Sequence, residues 1–369
     1  MKCHFLMPRR GLNALEKEAF RSLERQVSWI RSLKNQLTGG AVVKRCLPLL
    51  LALLLLASCT QSEANEFTLK EASGITRQGD YLLIVGDEDP GAYYRFQMFG
   101  DVAPIHLIEP WRLTRVELPQ ANLAIDLESI DILADGRIVV LSERLRTLVG
   151  EKGLVAEYDK PLSEFGNIGL EGLAVRGLED GSSRIAVLWE GGYPDYQDVP
   201  GQLQGPAGRL SFRPVVWVHD LKKDEAGVEI KMKNKEKYAL REILLDVPRP
   251  AGQEPQAQRF RAPDLVWHQW KNDGGGKEQW GFIVLLSSRN SPEQGKPEFV
   301  HQWLQRFTIA GKPVGNPLDL NTLVPAHLKG ANWEGLGWFE EGKSLVIIYD
   351  KYPKDPPVAI VVPVPADWK

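Results

Sequence analysis

What this chain lacks narrows it first. Its three cysteines are Cys3, Cys46 and Cys59, so everything beyond position 59 folds without disulfides. Five of the six histidines, His106, His219, His268, His301 and His327, are scattered without metal-ligand spacing and read as structural. There is no Gly-x-Ser-x-Gly, no His-Glu-x-x-His and no Gly-rich phosphate loop with Lys, so the hydrolases and nucleotide enzymes built on those motifs are excluded. A basic surface is missing too. Past residue 58 acidic side chains outnumber basic ones by about ten, which repels phosphate backbones and disfavours a nucleic-acid partner.

The first sixty residues differ in kind from the rest. Lys44-Arg45 precede a Leu-rich run from Leu47 to Ala57, about eleven residues against the roughly twenty that span a bilayer, and the run ends in Leu56-Ala57-Ser58-Cys59. This is the pattern of a secretory signal over 43–58. Small residues directly before a cysteine resemble the bacterial lipobox, which implies lipidation of Cys59 and membrane attachment through that lipid. An ordinary cleaved signal, with Cys59 incidental, is the other reading. Residues 59–66 read as a polar tether, and Thr60 stands where Asp would favour inner-membrane retention, which implies the periplasmic face of an outer membrane. Upstream, Leu15, Ala19, Leu23, Val27, Ile30, Leu33 and Leu37 recur at a helical period. Residues 1–42 are either a start-site artefact, with translation beginning near Val42 or Val43, or an extended basic region of the signal.

From Phe67 to the end, short β-branched and aromatic runs alternate with Gly, Pro and Asp turns, which predicts an all-β domain over 67–369. A phrase repeats within it. Glu171-Gly172-Leu173 leads into Ile185–Glu190, Glu334-Gly335-Leu336 into Leu345–Asp350, and Glu128-Ser129-Ile130 into Ile138–Glu143. Ser73-Gly74-Ile75 before Tyr81–Asp87 is a fourth copy, and Asp264-Leu265-Val266 before Phe282–Ser287 a degraded fifth. The Gly slot recurs at intervals of 55, 43, 92 and 71 residues. A unit of about 40 to 50 residues is the size of a four-stranded propeller blade, so a β-propeller is predicted. Reading the interval of 92 as two units, with a drifted blade over Arg213–Val247, favours six blades, and five is the alternative. The Gly/Pro-rich stretches Gly191–Gly208 and Arg249–Pro263 read as loops leaving the blades.

In such a fold the innermost strands line a channel, so Glu128, Glu171 and Glu334 converge although they are far apart in sequence. Converging carboxylates repel unless a cation sits among them, and hard oxygen ligands suit Ca²⁺. A structural role, accepting backbone N–H groups of the next blade, and a catalytic carboxylate are the alternatives. Asp87, Glu143, Glu190 and Asp350 close the second strands, with Arg144, Arg289 and Lys351 following three positions of this kind. Such a rim either binds a small anionic ligand, phosphate or carboxylate, through its Arg and Lys, or pairs blade to blade.

The phrases Glu71-Ala72-Ser73-Gly74-Ile75, Asp126-Leu127-Glu128-Ser129-Ile130, Asn167-Ile168-Gly169-Leu170-Glu171-Gly172-Leu173 and Asn332-Trp333-Glu334-Gly335-Leu336, with Leu141-Ser142-Glu143-Arg144, resemble those of bacterial exported propellers. These are the SdiA-regulated proteins and the related phytase-like proteins with esterase-like activity. The resemblance runs from about Phe67 to the C-terminus. It implies a periplasmic or surface propeller that binds Ca²⁺ and has phosphoesterase or esterase activity, with a non-catalytic envelope binding or scaffolding module as the alternative. It transfers no catalytic residue. Ser129 in place of Gly and Asp264-Leu265 without a Glu depart from the pattern and argue against a full ring of ligands.

Overall fold

A computed structural model describes residues 69, 71–98, 105–108, 112–159, 169–194, 212–247, 261–271, 278–289, 299–350 and 357–368. The signal segment, Cys59 and the tether lie outside the described residues, as does Lys351.

Five antiparallel sheets follow one another along the chain. The first blade is β1 (Ala72–Gln78), β2 (Tyr81–Gly86), β3 (Ala92–Gln97) and β5 (Leu113–Glu117). The second is β6 (Leu127–Ile132), β7 (Ile138–Ser142), β8 (Thr147–Gly150) and β9 (Gly153–Tyr158). The short β13 (Val228–Ile230) is added parallel to its outer edge. The third is β10 (Leu170–Gly177), β11 (Ser183–Pro194), β12 (Phe212–Leu221) and β14 (Arg241–Leu244). The fourth is β15 (Arg261–Lys271), β16 (Glu278–Arg289), β17 (Phe299–Thr308) and β18 (Pro313–Asp319). The fifth is β19 (Asn332–Glu340), β20 (Ser344–Asp350) and β21 (Val358–Pro363), completed by β4 (Ile105–Leu107) from the early chain.

The innermost strands contact one another in the closed cycle β1, β6, β10, β15, β19 and back to β1. The protein is therefore a five-bladed β-propeller, with β4 clasping the last blade to the first. The blade count differs from the favoured six for a definite reason. Strands β12 and β14, in the stretch read as a separate drifted blade, are the outer strands of the sheet begun by β10 and β11. The interval of 92 is one blade, its sheet running β10, β11, β12, β14, with β13 between the last two lent to the neighbouring sheet. A second difference concerns Arg261–Pro263, read as loop, which forms the start of β15.

Packing explains why the strand runs are continuous rather than alternating. Each middle strand lies between two neighbouring blades, so both of its faces are covered: Leu82, Leu83, Ile84 and Val85 are all fully buried. Among the described residues there are accordingly five apolar clusters, each shared by two adjacent blades. The cluster of Leu83, Tyr93, Ile130 and Val140 joins the first two, and that of Ile75, Tyr94, Phe339 and Ile348 joins the last to the first. Polar ties repeat the ring: Thr76 to Asp131, Ala134 N–H to Ser183, Trp267 Nε1–H to Ala174 O, Trp338 Nε1–H to Trp267 O and Arg77 to Phe339 O bridge the five junctions in turn.

The repeated phrase has a backbone meaning. Every innermost strand carries a β-bulge at the same place, between Ala72 and Gly74, Leu127 and Ser129, Leu170 and Gly172, Arg261 and Asp264, and Trp333 and Gly335. The residues inside the bulge are Ser73, Glu128, Glu171, Ala262-Pro263 and Glu334, and a bulge re-aims a side chain. The slot after it stands where neighbouring inner strands come close together. A Cβ on Gly335 would lie 2.6 Å from Ser73 O and 2.9 Å from Gly74 Cα, and one on Gly74 would lie 2.5 Å from Ser129 Cα. Backbone cannot yield as a side chain can, so Gly335→Ala is expected to lower stability by about 1–3 kcal/mol. Gly177→Ala, whose nearest new contact is a side-chain carbon at 3.4 Å, is the comparison and should shift stability by less than about 1 kcal/mol; thermal melts of the two variants check this.

Candidate functional site

At the starting end of the inner strands the bulges bring carboxylates together. Glu128 (8% exposed), Glu143 (8%) and Glu171 (7%) are buried there with no apolar reason to be. Ligand oxygens of Asp87, Asp126 and Glu128 all lie within 4.8 Å of one another. Each of these arrives differently. Asp87 follows the end of β2, Glu128 is the bulged residue of β6, and Asp126 precedes that strand with φ +59, a left-handed conformation that Asp tolerates better than most residues. Glu71, at the equivalent place before β1, has φ +48.

The electrostatics are those of crowded acid. Burial pushes the Asp87 carboxyl up to about 8, with Glu71, Asp126 and Glu334 adding to the effect. Burial raises Glu128 well above the usual carboxylate range, reinforced by Glu334, Glu143, Asp87 and Asp126. Glu143 is pushed up to about 7, by burial first and then by Asp126 and Glu190. Glu171 is raised by burial and by Glu190 and Glu128, while Arg261 acts in the opposite sense.

Among the described residues, Arg261 is a largely buried basic group of this end. Its guanidinium is ion-paired with Glu190 and lies 3.9 Å from Glu171 Oε2, and those anions, with Glu334, hold it firmly protonated. The three bulged glutamates thus part company: Glu171 belongs to an Arg261-centred group, whereas Glu128 sits with Asp87 and Asp126. Glu334 lies near enough to raise both Asp87 and Glu128, and it accepts a hydrogen bond from Asn332. Of the basic rim expected from sequence, Arg144 is here, exposed and 3.3 Å from Asp126 Oδ2. Arg289 ends β16 and Asp350 ends β20, but their side chains are outside the described set.

The degraded fifth copy turns out to close the centre. Asp264 fills the slot that is Gly in three other blades and is fully buried. Its Oδ1 accepts from Ser129 Oγ (3.2 Å), Leu173 N–H (3.3 Å) and Leu265 N–H (2.9 Å), and its Oδ2 from Leu336 N–H (2.7 Å). One carboxyl therefore ties the second, third and fifth blades to the fourth. Burial raises its pKa strongly, against the pull of those donors. Two histidines are also structural: His219 contacts Tyr158 OH at 3.0 Å, and His268 contacts Trp368 O at 2.8 Å.

Sequence reasoning placed Glu128, Glu171 and Glu334 at one end of the ring and missed Arg261, because the Pro and Gly around it read as loop. The signal available was position: Arg261 precedes the slot residue Asp264 as Leu170 precedes Gly172.

No family model matches the chain, and no curated protein matches it. Solved structures similar to it include virginiamycin B lyase from Staphylococcus aureus, 10% identical with a TM-score of 0.34, over 81% of this chain and 97% of that one. A gluconolactonase from Xanthomonas campestris is 10% identical with a TM-score of 0.33, over 81% and 87%. An endo-arabinase from Bacteroides thetaiotaomicron is 10% identical with a TM-score of 0.41, over 81% and 95%. At such identities and TM-scores these likenesses define neither activity nor ligand. The class rests on the chain's own sheets: an all-β, five-bladed propeller with an acidic end.

Proposed function

We propose that the chain is an exported, lipid-anchored propeller of the SdiA-regulated, phytase-like kind. In this reading it holds a divalent cation, Ca²⁺ by ligand chemistry, at the acidic end and acts there on a small anionic phosphate or carboxylic ester. Cys59 carries the lipid and the cell envelope is its location.

The observation that carries the cation is the Asp87, Asp126 and Glu128 cluster, in which Asp87 Oδ1 is buried without a hydrogen-bond donor. All-oxygen, carboxylate-rich donors suit Ca²⁺. When bound, the cation would supply Lewis-acid polarisation of an ester or phosphoryl oxygen. Glu171 and Glu190 fix the planar guanidinium of Arg261, and Arg144 at the rim offers a second cationic contact for an approaching anion.

A second reading, a non-catalytic envelope binding module, is favoured by one observation. Two hydroxyls at the acidic end are committed elsewhere: Ser73 Oγ–H donates to Glu71 O, and Ser142 Oγ–H to Ile125 O.

Hydrolysis of nitrophenyl phosphate and nitrophenyl acetate, with and without chelator, separates the readings. The hydrolase reading expects activity that chelator removes and that Glu128→Gln lowers by about 100-fold or more, the scale of losing one charge-stabilising group. No turnover of either ester class leaves the binding module, and turnover indifferent to both chelator and Glu128→Gln overturns the cation mechanism.

A further inference from the structure

The far end of the ring, where the inner strands finish, is hollow. A cavity of about 340 Å³ opens there among β1, β6, β10, β15 and β19, at the lower limit of small-molecule sites. Its central polar group is Asp131, two residues beyond the slot residue Ser129 on β6. The carboxylate accepts the N–H of Val175 on β10 at 2.6 Å, its neighbour's N–H from Ile132 at 2.8 Å and the hydroxyl of Thr76 on β1 at 3.4 Å. A carboxylate has about four lone-pair positions, so these three bonds fix its orientation and leave acceptor capacity for a ligand.

The lining around it is mixed polar and apolar, with Val175, Val266, Leu336, Trp267 and Trp338 among its apolar side chains. Both indoles are pinned by their nitrogens. Trp267 Nε1–H donates to Ala174 O at 3.2 Å and Trp338 Nε1–H to Trp267 O at 2.8 Å, so neither indole offers the cavity a donor. The charged groups of the rim are Glu341, exposed, and Arg77. Arg77 is occupied: its Nε–H donates to Gly79 O at 2.8 Å, its Nη1–H to Phe339 O at 2.7 Å, and its guanidinium lies 4.3 Å above the centre of the Phe339 ring. An anion entering this space would meet Asp131 and Glu341 with the one arginine turned to the backbone. A positively charged group with an apolar body meets a prepared acceptor and aromatic walls, the combination that recognises organic ammonium ions.

We propose that this cavity is a binding site for a small organic cation, with a primary ammonium group on Asp131 and an apolar or aromatic body against Trp267 and Trp338. Burial pushes the Asp131 carboxyl up to about 7 in spite of its N–H partners, and an ammonium ion beside it favours the ionised form. The site uses none of the carboxylates at the acidic end and stands independently of the hydrolase reading.

Titration calorimetry of the whole chain with benzylamine, benzyl alcohol and phenylacetate at about pH 8 tests it, because benzylamine is then largely the ammonium ion. The expected result is one site for benzylammonium, at least about tenfold tighter than for benzyl alcohol, and no measurable phenylacetate binding. Asp131→Asn should abolish that preference. Should Asp131→Asn fail to fold, Val175→Phe, which adds a ring to the cavity wall, should weaken benzylammonium by at least about tenfold. Equal affinities for the ammonium and the alcohol overturn the proposal, as does the absence of binding. Benzylammonium binding unchanged in a folded Asp131→Asn or Val175→Phe variant also overturns it, since that places the cation at the acidic end instead.

Discussion

Asp264→Ala should cost the domain on the order of 3–5 kcal/mol, more than any other single polar truncation in the ring. The substitution strands the N–H groups of Leu173 and Leu336 and the hydroxyl of Ser129, which belong to three different blades, in a region closed to water. Each buried donor left without a partner costs about 1–3 kcal/mol. Asp264→Asn is the informative companion. Its single carbonyl oxygen can keep the Oδ1 set of donors but loses the one on Oδ2, so its cost should be about 1–2 kcal/mol. Chemical denaturation of both variants at one pH checks the order. Equal and small losses would show that Asp264 is not the tie between blades.

The second large effect is one of pH and cation. Asp87 at about 8 and Glu143 at about 7 sit above the ordinary carboxylate range because burial and neighbouring carboxylates penalise their ionised forms. A carboxyl whose folded pKa is raised contributes stability that is complete below the unfolded value, near 4, and is lost as pH rises through the folded value. In chelator, the domain should therefore be more stable at pH 5 than above pH 8, with the loss falling between about pH 4 and 8. Allowing for water at the half-exposed Asp87, the difference is on the order of 2–3 kcal/mol, or roughly 3–5 °C in melting temperature. On the proposed cation site, Ca²⁺ would reverse the penalty by joining the ionised groups, so its stabilising effect should be larger at the higher pH. At one hundred times its dissociation constant the gain would be about 2.7 kcal/mol. Melting curves at both pH values with Ca²⁺ or chelator read this directly. A melting temperature indifferent to Ca²⁺ at the higher pH would remove the cation from the acidic end.

Arg261 sharpens the same picture. It neutralises part of the acid at this end by pairing with Glu190 and approaching Glu171, so the crowding is concentrated on the side of Asp87, Asp126, Glu128 and Glu143. The rim was open to two readings, anion binding or ion pairing between blades. Arg261, which lay outside that expected rim, and Glu190, from the fourth and third blades, are an ion pair between blades.

Much of the fold was legible in the chain. Burial of both faces of the middle strands writes itself as unbroken runs such as Leu82–Val85 and Leu345–Ile348, and the need for close backbones at the centre writes itself as Gly74, Gly172 and Gly335. These are local consequences of packing, so a single sequence carries them. The slot register, including the degraded copy at Asp264, could be read for the same reason. What the sequence could not assign is which outer strand completes which blade. Strands β12 and β14 look alike whether they start a new blade or finish an old one, and β4 joins the last blade through pairs with Val358, Ala359 and Ile360 that span some 250 residues. Closure of the ring decides both. It also decides the site: Asp87 meets Asp126 and Glu128, Arg261 meets Glu171 and Glu190, and Asp264 reaches three other blades, because five bulged strand ends share one axis. By itself the sequence determined an all-β repeat with glutamates that converge. Only the tertiary structure decided the partners they meet, since convergence follows from repetition, whereas partnership depends on the number of blades and on the angle each one takes around the axis.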